Sequence, residues 1–264
     1  MNKLPSLQLD WVGKGEERRK IKPRIQVLEV GRKSGDPIHL LVERTENYEQ
    51  VDDQVVEASI ELKYQIIENT LDIHHVEGGE FSGSYRRYLG TASESVRLTS
   101  SSAGSSGFVV VDPSWLEGHR VGTYLMNEVV NWAKQWPVAN VRKIELLEGQ
   151  ASQDNLTRRN RFYEQFGIEF DYEDSKHRAG VSKPVKVAGL NTINGWQKNV
   201  KEIPLEKFLA QLKHQNQMLG FELRARARDN AQMQKEWEFA VTKPLRWAWV
   251  RLWSRLFYLL RYGA

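Results

Sequence analysis

Between residues 58 and 76 the chain reads ASIELKYQIIENTLDIHHV, with Ile60, Leu62, Tyr64 and Ile66 at every second position and a polar break near Glu68 and Asn69. A period of two places these side chains on one face of a strand, so the segment predicts a β-hairpin. The run TSSSAGSSG at 99–107 carries no side chain able to anchor a core and reads as a loop. Phe108 and the three valines after it form a short apolar, β-branched run that stops at Asp112-Pro113, as expected of a buried strand ending in a turn. The period then changes. From Val121 to Trp136, Leu125, Val129, Trp132 and Ala133 fall at helical spacing, and Pro137 ends the pattern. Residues 143–147 (KIELL) predict a second strand, 155–165 a second helix stopped by Gly167, and 168–172 a third strand. Alternation of this kind predicts an α/β or α+β sheet.

Past Ser175 the pattern weakens. The stretch HRAGVSKPVKVAGLNTINGW is loop-like, and residues 205–240 are rich in Gln, Arg, Glu, Lys and Ala at helical spacing. The expected division is therefore a domain over 1–174, with its N-terminal strands, and a helical extension over 175–264. No internal repeat is present.

Composition narrows the chemistry. The absence of cysteine excludes disulfides, thiolate metal sites and a cysteine nucleophile. The first twenty residues hold no continuous apolar segment followed by a small-residue cleavage site, so a cytoplasmic location is the default expectation. The formal net charge is +4, but Lys243, Arg246, Arg251, Arg255 and Arg261 stand in a terminal stretch without acids, which leaves the preceding residues near neutrality. The high pI thus belongs to the tail and argues against nucleic acid as a partner of the remainder.

Residues 109–126, VVVDPSWLEGHRVGTYLM, lead from the expected strand through a glycine-bearing loop directly into a helix. Backbone N–H groups at a helix start, with the positive end of the helix dipole, suit a phosphate or pyrophosphate. A turn of this type also serves purely structural ends. About thirty residues on comes NLTRRNRFYEQFGIEF at 155–170. Together the two segments resemble the GNAT superfamily of acetyl-CoA-dependent N-acetyltransferases, in which an R/Q-x-x-G-x-G/A loop opens the central helix and a later helix carries an Asn and an FYExxGF-like end. Phe162-Tyr163-Glu164-Gln165-Phe166-Gly167-Ile168 matches that end, and the resemblance extends over about residues 55–172 without specifying a subfamily. Two departures stand out. The loop has Glu117 where Arg or Gln is usual and Arg120 where the central Gly is usual, and Asn155 lies eight residues before Tyr163 rather than seven.

The resemblance implies an α+β, three-layer fold, with a mainly antiparallel sheet flanked by helices. It also implies acetyl-CoA as co-substrate without a metal, and direct attack of an acceptor amine on the thioester. Gly118, His119, Arg120, Val121, Gly122 and Thr123 would hold the pyrophosphate, Val109, Val111 and Asn155 the pantetheine arm, and Tyr163 would protonate the departing thiolate. Tyr163 can equally be a helix-end aromatic packed on the sheet. Glu61, His74, His75 and Glu77 are the candidates for a base, although adjacent His74 and His75 project to opposite strand faces. The same divergence argues against a metal site built from them. The acceptor, a protein amine or a small molecule, is not encoded in any motif. A second reading stays open, in which a degenerate acetyltransferase fold acts as a non-catalytic binding or membrane-surface module.

The last stretch, LRWAWVRLWSRLFYLLR at 245–261, places its leucines with Trp249, Val250, Trp253 and Phe257 on one wide helical arc and Arg251, Ser254, Arg255 and Arg261 on the other. Central arginines oppose a membrane-spanning placement. An amphipathic helix of this kind suits either a homodimer or protein-docking interface, or an anionic membrane surface that would make the protein peripheral.

Overall fold

The computed structural model describes residues 17–32, 35–51, 54–67, 78–88, 93–98, 116–150 and 155–262. They divide into two compact units, the first ending at Leu205 and the second beginning at Glu206.

Four long strands dominate the first unit: β1 (Glu17–Val30), β2 (Ile38–Val51), β3 (Gln54–Ile67) and β4 (Gly78–Tyr88), antiparallel neighbours in sequence order. β5 (Ser93–Arg97) continues the meander, β6 (Asn140–Val141) adds in parallel, and β10 (Val200–Pro204) closes the opposite edge against β1. Among the described residues the sheet thus has seven strands, in the order β10-β1-β2-β3-β4-β5-β6. A smaller antiparallel sheet holds β7 (Glu145–Leu146), β9 (Gly180–Ser182) and β8 (Phe170–Tyr172). Sheet, helices and covering segments give the expected α+β architecture. The alternating residues Ile60, Leu62, Tyr64 and Ile66 are all buried on β3, but its partner strand begins only at Gly78. Residues 68–77, with the anticipated return of the hairpin, lie outside the described residues, as do the loop at 99–107 and the strand at 108–111.

Helix α1 (Val121–Ala133) ends three residues short of the expected limit, and α2 (Leu156–Glu164) stops just before Gly167, which takes φ 81°. The side chains expected to face the core, Leu125, Val129, Trp132 and Ala133, are buried, but so are Val121, Tyr124, Met126, Asn127 and Val130. A helix covered on nearly every side has protein on both flanks. One flank is the central sheet: Gly83 of β4 lies so close that a Cβ there would stand 2.7 Å from Cγ1 of Val129. The other includes a 3-10 turn at Gly195–Lys198, whose Trp196 meets Tyr124 edge-on at 4.9 Å. Past its C-terminal end, Trp136 stacks on Tyr85 of β4, with centroids 4.1 Å apart and planes within 8°.

The expected domain boundary at 174 is displaced. Residues 175–205 belong to the first unit, because β9 completes the small sheet and β10 pairs with β1 from Gln26 to Val30, burying Val200 and Ile203. Short strands separated by loop-rich sequence carry no periodicity long enough to be read without their partners. The second unit consists of α3 (Leu205–Thr242) and α4 (Pro244–Tyr262), which begins at a proline, a residue suited to the first helical position.

The approach of α1 to β4 gives a direct test. Gly83→Ala is expected to lower stability by about 1–3 kcal/mol in urea unfolding, and a further Val129→Ala change should recover part of that loss by opening the space. Additive losses in the double variant would show that the two positions do not share a contact.

Candidate active site

The loop before α1 turns on two consecutive left-handed corners. Gly118 takes φ 80°, and Arg120, the N-cap of α1, takes φ 68° and ψ 8°. The left-handed region costs an L-residue with a Cβ about 1–2 kcal/mol, so Arg120 occupies a conformation better suited to glycine. This accounts for the Gly that the motif usually has there: the turn is preserved and the residue adapts. The guanidinium of Arg120 donates to the carbonyl of Gly195 at 2.8 Å, and the amide of Asn199 donates to the carbonyl of His119 at 2.9 Å and to that of Gly31 at 3.2 Å. Residues 195 and 199, read from sequence as part of the extension, therefore brace the loop.

The first i→i−4 bond of the helix runs from the N–H of Tyr124 to the carbonyl of Arg120 at 3.0 Å. The amides of Val121, Gly122 and Thr123 precede it and point out of the helix start, and no acidic residue stands in the first turn. Glu117, the departure that would oppose an anion, is in an ion pair with Arg158 of α2. That pair also joins the two motif segments, setting the α1 loop against the helix of Asn155 and Tyr163. The donor set, the positive helix end and the compensated carboxylate all fit a pyrophosphate group.

Asn155 is the N-cap residue of α2, yet its side chain caps no N–H, and its Oδ1 is buried without a hydrogen-bond partner among the described residues. A buried amide oxygen left in that state costs about 1–3 kcal/mol, which a ligand N–H would offset. Tyr163 is buried among Phe162, at 5.1 Å, and Phe170, at 5.5 Å, both edge-on. On the same helix, burial depresses the Arg159 guanidinium pKa; the side chain donates to the carbonyls of Leu147 and Arg178 at 3.0 and 2.7 Å.

Among the base candidates, Glu61 pairs with Lys63 at 2.9 Å. Ile60, its neighbour, approaches the same Gly83 that Val129 of α1 contacts, so Glu61 projects to the opposite sheet face. There it joins Asn47, Ser59, Ser82 and Arg97 in lining a shallow cleft of ≈ 260 Å³. Glu80, also near Glu61, has its pKa raised by burial and by the Glu61 charge. His74, His75 and Glu77 lie outside the described residues, as do Val109 and Val111.

Residues 66–168 match the family model of the Acetyltransferase (GNAT) family. These residues form a GNAT acetyltransferase domain. The match contains β4, β5, α1 and α2, with both motif segments, whereas β1, β2 and the bracing residues Gly195 and Asn199 lie outside it. No curated protein and no solved structure gives a significant match to the chain. Sequence reasoning missed the bracing residues of this GNAT domain because nothing in their local pattern distinguishes them. Asn199 is one polar residue among several in a loop-like stretch.

The strained corner can be measured. Arg120→Gly is expected to unfold at higher urea concentration than Arg120→Ala, by about 1 kcal/mol, because both lose the bond to Gly195 and only glycine relieves the left-handed strain. Equal stabilities would show that the corner relaxes at no cost.

Proposed function

We propose that the protein is an N-acyltransferase that moves the acetyl group of acetyl-CoA to an amine by direct attack on the thioester. The N–C bond forms as the C–S bond breaks, the amine gives up a proton to a base, and the CoA thiolate takes up a proton. In this reading Val121, Gly122 and Thr123 bind the pyrophosphate through their amides, with Gly118, His119 and Arg120 shaping the loop. Asn155 accepts a hydrogen bond from the pantetheine arm, Val109 and Val111 hold that arm along the strand, and Tyr163 supplies the proton to sulfur. What carries the reading is the Glu117–Arg158 pair, which compensates the carboxylate of Glu117 while tying the anion-suited helix start to the helix of Asn155 and Tyr163.

Acetyl-CoA should raise the melting temperature, as any ligand selective for the folded state does, and Gly122→Trp should abolish that shift. With an amine acceptor, or with thioester hydrolysis as the readout, Tyr163→Phe is expected to lower turnover by roughly 10- to 10³-fold at nearly unchanged acetyl-CoA affinity. Undiminished turnover would assign Tyr163 to packing. Binding without turnover in the native chain would favour the non-catalytic module.

A second part of the proposal concerns α4, which we read as resting on an anionic membrane surface. Leu245, Trp249, Leu252, Trp253 and Phe257 are more than half exposed on a helix that carries arginines and no acid, and no described helix is long and apolar enough to cross a membrane. Such a helix lies in the interface plane, with its apolar arc in the acyl boundary and its arginines at the headgroups. The full chain should co-sediment with anionic phosphatidylglycerol vesicles far more than with neutral phosphatidylcholine vesicles, and less as salt is raised. Equal binding to both, or none, would return this face to a protein interface.

A further inference from the structure

α3 runs for 38 residues, yet Phe208, at its start, is its only side chain described as buried. At 1.5 Å per residue the helix is about 57 Å long, and its large apolar residues face outward. Leu209, Leu212, Leu219, Leu223, Met233 and Trp237 fall in two rows, whereas Met218, Phe221, Phe239 and Val241 lie outside them. A heptad row begins at Leu209 and continues through Asn216, Leu223, Asn230 and Trp237, while a second row, offset by three, runs through Leu212, Leu219, Arg226, Met233 and Ala240. These rows fall at the a and d positions of a five-heptad seam. The large apolar members of both rows are between 38% and 69% exposed, interrupted by Asn216, Arg226 and Asn230.

We propose that this seam pairs with the same seam of a second copy of this chain as a parallel two-stranded coiled coil. Two features of the sequence specify that occupant. Asn216 and Asn230 both stand at a positions, where in parallel, in-register pairing each amide faces its own counterpart and can bond to it; a polar a residue of this kind fixes register and strand number at a cost in stability. The g positions supply the second argument. Glu222, Asp229 and Glu236 occupy three successive g sites, and the e sites they would face in a parallel partner are Ala227, Gln234 and Val241. An antiparallel partner would instead set acid against acid along the g edges, so like-charge repulsion selects the parallel arrangement.

Arg226 is the irregular member of the d row. Its guanidinium is drawn to the g edge by Glu222, 2.6 Å away on the preceding turn, so the charge stays at the rim while the aliphatic stem covers the seam. α4 leaves the seam open: the Arg251–Glu236 pair, at 3.2 Å, reaches the g edge of α3, and Trp237 beside it remains 69% exposed.

Sedimentation equilibrium on the full chain should return twice the 30.6 kDa chain mass. Leu219→Glu with Leu223→Glu should give the monomer mass, whereas Phe221→Glu, an equally exposed apolar residue on the opposite face, should leave the dimer intact. Trp249→Glu with Trp253→Glu in α4 should leave it intact too. Because the chain has no cysteine, Asn216→Cys introduces a single thiol, and mild oxidation should link two copies through it, as only parallel, in-register helices bring those Cα atoms within disulfide reach. A native chain that stays monomeric, a dimer that survives the paired Leu changes or is lost with the α4 pair, or an Asn216→Cys dimer that oxidation does not link would each overturn the proposal.

Discussion

Burial of α1 on nearly all sides is the constraint on which the first unit is organised. On this helix a buried polar side chain left unpaired would cost about 1–3 kcal/mol, and the helix pairs Tyr124, Asn127 and Glu128. Its partners come from distant segments. Asn127 accepts from the N–H of Ile193 at 2.7 Å, Glu128 pairs with Arg44 of β2, and the Tyr124 hydroxyl donates to Glu202 of β10 at 2.8 Å beside Gln26 of β1. Burial and the nearby charges of Glu128 and Glu202 push the Tyr124 pKa well above that of an ordinary phenol. The helix is thereby fixed in position by β1, β2, β10 and the loop at 193, elements from both ends of the unit.

That fixation gives the helix start its properties. A left-handed Arg at an N-cap persists only where the surroundings over-determine it. Here they do so through Gly195 and Asn199, which hold the carbonyl and guanidinium on either side of the corner. The amides that follow are therefore pre-set, and a ligand meeting them need not order the loop itself. Pairing of Glu117 with Arg158 acts in the same direction, since it converts a repulsive residue into the tie between the two motif segments.

The second unit obeys different physics. Among its described side chains almost none is buried, and its two helices carry exposed apolar residues in two distinct patterns, a narrow heptad seam on α3 and a wide arc on α4. A narrow seam flanked by charge suits a matching helix, whereas a wide aromatic arc with arginines suits an interface between apolar and anionic layers. The two helices are joined at Lys243 and Pro244, so neither pattern runs into the other.

The sequence by itself determined the elements with a sustained period and the motif they carry. The alternation on β3, the helix beginning at Val121, the FYEQFG helix end and the amphipathic tail were all legible, because each is encoded by neighbours within a few residues. The GNAT resemblance followed from two such local segments. Only the tertiary structure decided that 175–205 belongs with the sheet, that Arg120 sits in a glycine-like conformation, that Gly195 and Asn199 brace the loop before α1, and that Glu202 holds Tyr124. It also separated Glu61 from the α1 face. These are facts of pairing between residues that lie up to about 170 positions apart, such as Gly31 and Asn199. A hydrogen bond across that distance leaves no period in either segment, because what selects each residue is a partner that folding alone brings near.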